Sequence, residues 1–200
     1  LKCNKMEQPL VLLVSLVLVS FCRGQDFCNQ KLCPQYKLIE KNQDFEKRLY
    51  VATDWITTKI ESTVATDLMT ARSRLIEYCK RENDAGFTIP VDTWPVLITV
   101  TEDQDLWLSW FVPPSTTKPQ NIDTSVTLQS KPEAIVYVRV FGGTPSIQSG
   151  QDNANTLWKA LDKNCTDLPT YSGAGYDSYF SVTHHNEIWI YDDDICKKTM

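Results

Sequence analysis

Apolar residues recur along this chain in two rhythms. Over 63–81, Val64, Leu68, Ala71, Leu75, Tyr78 and Cys79 follow at steps of three, four and one, a single stripe that predicts an amphipathic helix. Ser62 or Thr63 can cap its start, because a hydroxyl accepts from the unpaired N–H groups of a first turn. Asn83-Asp84-Ala85-Gly86 ends it. A second helix is predicted over 145–163, with Ala154, Leu157, Trp158 and Leu161 on one stripe and Pro145 where a missing N–H is tolerated. Elsewhere β-branched and aromatic residues gather in short runs: from Phe45 through Leu49 and Val51 to 55–60, then 87–89, 96–101, 106–112, 125–129, 133–141, 176–182 and 187–191. In the run 106–112, Leu106, Leu108 and Trp110 alternate with Trp107, Ser109 and Phe111, so both faces of that strand carry aromatic rings. Pro113-Pro114 stops it, since proline donates nothing to a ladder. Polar residues 25–44 read as an irregular lead-in, 115–123 as a loop, and Asp192-Asp193-Asp194 opens an acidic, solvated tail over 192–200.

Strand, helix and strands occur twice in that order, with Tyr50-Val51-Ala52 and Tyr137-Val138-Arg139 in comparable places before the two helices. An internal duplication follows. The predicted class is α+β: a distorted antiparallel β-barrel of two pseudo-symmetric halves, flanked by two α-helices.

The longest apolar run lies at 10–19, too short for a bilayer span, which needs roughly 20 residues. With Gly24 and Cys22 as small residues before Gln25, it reads as a signal peptide over 6–24 and predicts secretion. Cleavage before Gln25 would remove residues 1–24 and take the net charge from −5 to −7, since Lys2, Lys5, Arg23 and Glu7 leave together. The balance of 20 basic to 25 acidic residues argues against a nucleic-acid partner, whose polyanionic backbone needs a basic face. Five cysteines remain after cleavage: Cys28, Cys33, Cys79, Cys165 and Cys196. In an oxidising compartment disulfides are the default, and an odd count leaves one thiol over. The preferred arrangement is a short Cys28–Cys33 loop and a bridge from Cys196 to the body, Cys165 being a candidate partner, while Cys79 sits in the helical stripe as a small hydrophobe. No closely spaced ligand pair suits zinc. Asn164-Cys165-Thr166 is a glycan acceptor motif at Asn164.

Three groups of residues together resemble the SOUL haem-binding protein family: the run from Val136 to Gly143, then Ala174-Gly175-Tyr176-Asp177-Ser178, then Asn186-Glu187-Ile188-Trp189-Ile190. Ile89-Pro90-Val91, Pro95-Val96-Leu97 and Phe111-Val112-Pro113-Pro114 precede them in the expected order, and the likeness runs over about 45–191. The resemblance implies a non-covalent binder of haem or another porphyrin, with no catalytic role. It also implies a ligand shelf on the first helix (Leu68, Met69, Arg72, Ile76) and the loop before the last strand (Phe180, Ser181, Val182). A porphyrin is an apolar plate with two propionates, which asks for an apolar ledge and a cation such as Arg72. Some members carry a histidine in the first strand, proposed as an axial iron ligand; Leu49 stands at the matching position. His184 and His185, the only histidines, are the alternative iron ligands, and the plainer reading makes them a polar turn.

No G-x-S-x-G, P-loop or G-x-G-x-x-G run is present, and Gly173-Ala174-Gly175 is a lone glycine pair at a strand entrance. The expectation is a secreted, non-enzymatic tetrapyrrole binder, a carrier or scavenger. Two alternatives remain open: an interaction module on the same scaffold that has lost haem, and a binder of other flat apolar molecules.

Overall fold

Residues 26–28, 31–80, 93–114, 116, 125–163, 165, 167–178 and 180–196 are described by a computed structural model. Their strands are β1 (Tyr36–Lys41), β2 (Glu46–Tyr50), β3 (Thr53–Ile60), β4 (Val96–Val100), β5 (Leu106–Val112), β6 (Val126–Lys131), β7 (Ala134–Phe141), β8 (Tyr171–Gly175) and β9 (Asn186–Tyr191). Helix α1 is Ala65–Cys79 and α2 is Ile147–Leu161. The strands form one sheet in the order β1-β2-β7-β9-β8-β4-β5-β3-β6, and every pairing is antiparallel.

That order resolves into two copies of one motif. β3 pairs with β5 and β5 with β4, α1 crossing between β3 and β4; β7 pairs with β9 and β9 with β8, α2 crossing between β7 and β8. β4 and β8 meet along the seam. Each half also lends a strand to the other, β2 to β7 and β6 to β3. The duplication expected from sequence is thus the symmetry of the sheet. The α+β antiparallel class holds, but the barrel does not close: β1 and β6 stay as two edges. β1 is suited to an edge, being charged at Lys37, Glu40 and Lys41 and irregular between Leu38 and Glu40.

Side chains alternate between the two faces of a strand. On one face Ala71, Leu75, Tyr78 and Cys79 of α1 and Ala154, Leu157 and Leu161 of α2 meet Ile56, Leu108, Trp110, Ile188 and Ile190. On the far face Tyr50, Trp55, Leu97, Phe111, Val138, Tyr176 and Trp189 form a second cluster with Cys28 and Cys33. β5 therefore needs aromatic residues on both sides, as its alternation predicted. Burying a leucine such as Leu75, fully enclosed here, contributes about 2–3 kcal/mol, and it is this stripe that holds α1 to the sheet.

Several boundaries differ from the expectations. Residues 36–41 pair as β1 although Leu38 and Ile39 stay largely exposed among charged neighbours, because an edge strand needs no buried face. The run 176–182 is not a strand: β8 ends at Gly175, and the following residues form a loop tied to Asp177, whose Oδ2 accepts from His185 N at 2.6 Å. Neither Ser62 nor Thr63 is the cap of α1. Val64 is, with no side-chain bond, and Ser62 Oγ donates instead to Asp67 at 2.6 Å. The tail is not simply solvated either, since Asp192–Asp194 form a 3₁₀ turn and Cys196 is bonded to Cys165. Cys28–Cys33 is the other disulfide, as preferred, and Cys79 is buried and free. The predicted signal peptide over 6–24, the strand 87–89 and Asn164 lie outside the described residues.

Candidate functional site

Between the strands that carry the two helices lies the β4–β8 seam. α1 packs chiefly on β3, β5 and β6, and α2 on β7 and β9, so β4 and β8 floor the space between them. Across the seam Val96 faces Gly175 and Ile98 faces Gly173. Val96 and Ile98 are half-buried members of the helix-side cluster, so both glycines point their missing side chains to the same face. A Cβ at Gly175 would meet no heavy atom within 4 Å, and one at Gly173 only the Ile98 carbonyl at 3.9 Å. At these two pairs β4 supplies branched apolar side chains and β8 only glycines, with open space where a side chain at Gly175 would stand, while Tyr171 fills the next position opposite Val100. Trp110 stands opposite Val96 on β5, and its buried indole N–H has no acceptor among the described residues. Leu68 and Ile76 of α1 and Trp158 of α2 lie half-buried at the margin of the cluster.

The β8–β9 loop leaves the seam at Gly175 and returns at Asn186. Asn186 Nδ2 donates to the Gly143 carbonyl at 2.8 Å, and the His184 carbonyl oxygen lies 3.8 Å from where a Gly142 Cβ would stand. Of the residues expected to form a shelf, Leu68 and Ile76 pack inward while Met69 (68% exposed) and Arg72 face solvent. On the loop, Phe180 and Val182 are 90% and 100% exposed and Ser181 is half-buried. Leu49, which the resemblance matches to a histidine of some family members, is half-buried on β2 between β1 and β7.

The two adjacent histidines part company. His185 follows the parity of Glu187 and Trp189, and its ring therefore joins the far face, across the sheet from the helices. There Glu187 is fully buried and accepts four bonds: from Arg48 Nη1 (3.0 Å) and His185 Nε2 (2.9 Å) on one oxygen, and from Tyr176 O–H (2.9 Å) and Trp189 Nε1 (2.7 Å) on the other. Burial alone would raise its carboxyl; the His185 bond, the Arg48 charge and the Trp189 N–H outweigh that and hold it below the ordinary carboxylate range. An ionised carboxylate only accepts, so Nε2 of His185 carries the proton in this bond. Arg48 also donates to Glu46 Oε2 through Nε at 2.8 Å and to Tyr50 O–H at 2.9 Å. Burial, first among the causes, pushes the Tyr50 and Tyr176 phenols well above their usual range.

A further cleft of about 380 Å³, lined by Lys59, Glu61, Ser62, Gln104 and Asp105, lies at the other end of the strands. Lys59 Nζ and Asp105 Oδ1 pair beside it at 2.9 Å, and its polar lining offers no plate for a flat ligand. The seam residues Val96, Ile98, Gly173 and Gly175 were missed by sequence reasoning. The paired glycines were the available signal, but only the register across β4 and β8 gives them a partner.

A model of the SOUL heme-binding protein family matches residues 31–191. Heme-binding protein 2 of Homo sapiens is similar at 27% identity over 158 residues, covering 73% of this chain and 77% of that one. Among solved structures the EcmrR C-terminal domain is similar at a TM-score of 0.54 and 9% identity, covering 74% of this chain and 96% of that domain. That likeness concerns the fold alone.

Proposed function

Because this chain belongs to the SOUL haem-binding protein family, we propose that it binds haem or a related tetrapyrrole in the groove between its two helices. The observation that carries the reading is the seam, where half-buried Val96 and Ile98 border two glycines, with open space above Gly175. A flat macrocycle lies against such a floor without displacing anything, and it recovers the apolar surface that the glycines leave uncovered. Exposed Arg72, on the flank of α1 that carries Leu68 and Ile76, can take a propionate in a two-bonded fork, and the orphan indole N–H of Trp110 is a second donor near the floor. Phe180 and Val182 would cover the plate at the mouth of the groove. His185 is committed to Glu187 on the far face, so His184 is the histidine left to meet an iron. Without it, recognition rests on shape and the macrocycle binds with or without metal.

We read the protein as a binder and not a catalyst, acting after secretion as a carrier or scavenger. The apolar run at 10–19 and the two disulfides support an extracellular setting. Haemin added to the purified protein is expected to give a saturable shift of its Soret band. Gly175→Leu, which fills open space without a clash, is expected to weaken that binding at least about tenfold, or ~1.4 kcal/mol. Unaltered affinity in the leucine variant would remove the groove as the site. His184→Ala separates ligation, which moves the band, from shape recognition, which leaves it in place. A second reading, an interaction module on this fold that has lost haem, is favoured by Leu49 alone, and a flat titration of the parent chain would adopt it.

A further inference from the structure

The far face carries a feature that the groove does not use. Residues 26–28 and 31–35 run across it as a strap. Phe27 stacks on the His185 ring with centroids 4.3 Å apart and planes 6° apart, meets Tyr176 edge-on at 4.8 Å, and lies 5.9 Å from the Arg48 guanidinium. Three walls thus hold one aromatic ring. Beneath it the polar groups satisfy one another: Arg48 with Glu46, Tyr50 and Glu187, and Glu187 with His185, Tyr176 and Trp189. None of those bonds comes from Phe27. The charges also cancel, Lys41 and Arg48 standing against Glu46 and Glu187. The Cys28–Cys33 bridge lies wholly within the strap, so it makes the strap a compact body without fastening it to the sheet. The strap meets the sheet side through Trp94 N to the Leu32 carbonyl at 3.0 Å and Val51 N to the Gln35 carbonyl at 3.1 Å, and Lys31 Nζ lies over the Trp94 ring at 4.9 Å.

We propose that this face holds a second ligand site, for one flat uncharged aromatic ring, and that the strap is its built-in competitor, Phe27 sitting where the ligand's ring would sit. The polar network is complete without Phe27, so lifting the strap orphans none of those bonds; it costs apolar contact, ring stacking, the Lys31–Trp94 contact and the two backbone bonds at Leu32 and Gln35, whose groups then meet water. An internal occupant lowers the apparent affinity for an outside ring by the fraction of time the strap is away. Cancelled charges explain why the ring needs no charge of its own.

The test is calorimetric titration with indole as the probe. Phe27→Ala is expected to bind indole at least about tenfold more tightly than the parent chain, and adding His185→Ala is expected to abolish the gain. Equal affinity of Phe27→Ala and parent would overturn the proposal. If circular dichroism finds Phe27→Ala unfolded, the double variant Cys28→Ser, Cys33→Ser takes its place: it keeps Phe27 but loosens the strap, and indole affinity no better than the parent's overturns the proposal equally. Gly175→Leu in the Phe27→Ala background is expected to leave indole binding unchanged. A loss there would mean that the ring enters the groove, against the proposal. Haemin affinity in Phe27→Ala is expected to match the parent's, so failure here and failure of the groove reading are told apart.

Discussion

Replacing Glu187 by Gln keeps the shape of the side chain and removes its charge. In the parent, each carboxylate oxygen accepts from two donors. The amide of Gln retains one acceptor oxygen and turns an NH₂ toward the other two donors, so either Tyr176 O–H and Trp189 N–H or Arg48 and His185 lose their partner. Two buried donors without acceptors cost about 1–3 kcal/mol each. Arg48, whose side chain is only 2% exposed, is left with Glu46 as its remaining carboxylate, and removing one member of a buried pair costs about 3–5 kcal/mol. The two estimates describe overlapping losses, so about 3–5 kcal/mol stands for the whole. Urea unfolding followed by tryptophan fluorescence measures it, and with slopes of about 1–3 kcal/mol per molar the midpoint is expected to fall by roughly 1–5 M. The native carboxyl is held below its unfolded value of about 4.3, so its stabilisation is present above that pH and is lost as pH falls through the native value. Parent and variant should therefore converge in acid. A variant within about 1 kcal/mol of the parent at neutral pH would refute the view of Glu187 as the centre of this network.

Three further outcomes follow from the same structure. Cys196→Ser opens a loop spanning 31 residues and is expected to cost about 3–4 kcal/mol by chain entropy, read as a lower thermal midpoint without loss of the native spectrum. The Cys79 thiol is pushed up to about 12 by burial, so native protein should resist thiol reagents at pH 8. Stability is full below the unfolded thiol value of about 8.5 and declines as pH rises toward 12, and Cys79→Ala should lack that share of the alkaline loss. Ser146→Ala removes the hydroxyl that accepts from Ser149 N at 3.0 Å at the start of α2 and should destabilise by about 1 kcal/mol in thermal melts.

Local pattern alone determined a good deal here. The stripes of α1 and α2, the aromatic alternation of β5 and the repeated order of elements are short-range properties, since a helix or strand must put its apolar residues on whichever faces are buried. The ordered motifs identified the family for the same reason: they are contiguous. What tertiary structure alone decided is pairing at a distance. Gly173 and Gly175 acquire meaning only opposite Ile98 and Val96, a register set by two strands some seventy-five residues apart in sequence. The adjacent histidines look equivalent in a chain, yet one residue of β-strand parity sends His185 to Glu187 on the far face and gives His184 no share in that bond. Arg48 and Glu187 give no local sign of being partners, because a buried ion pair is built from whatever residues the sheet order brings face to face. Even the open edges belong to that class: a barrel closes only if its first and last strands meet, and no local run of residues records whether they do.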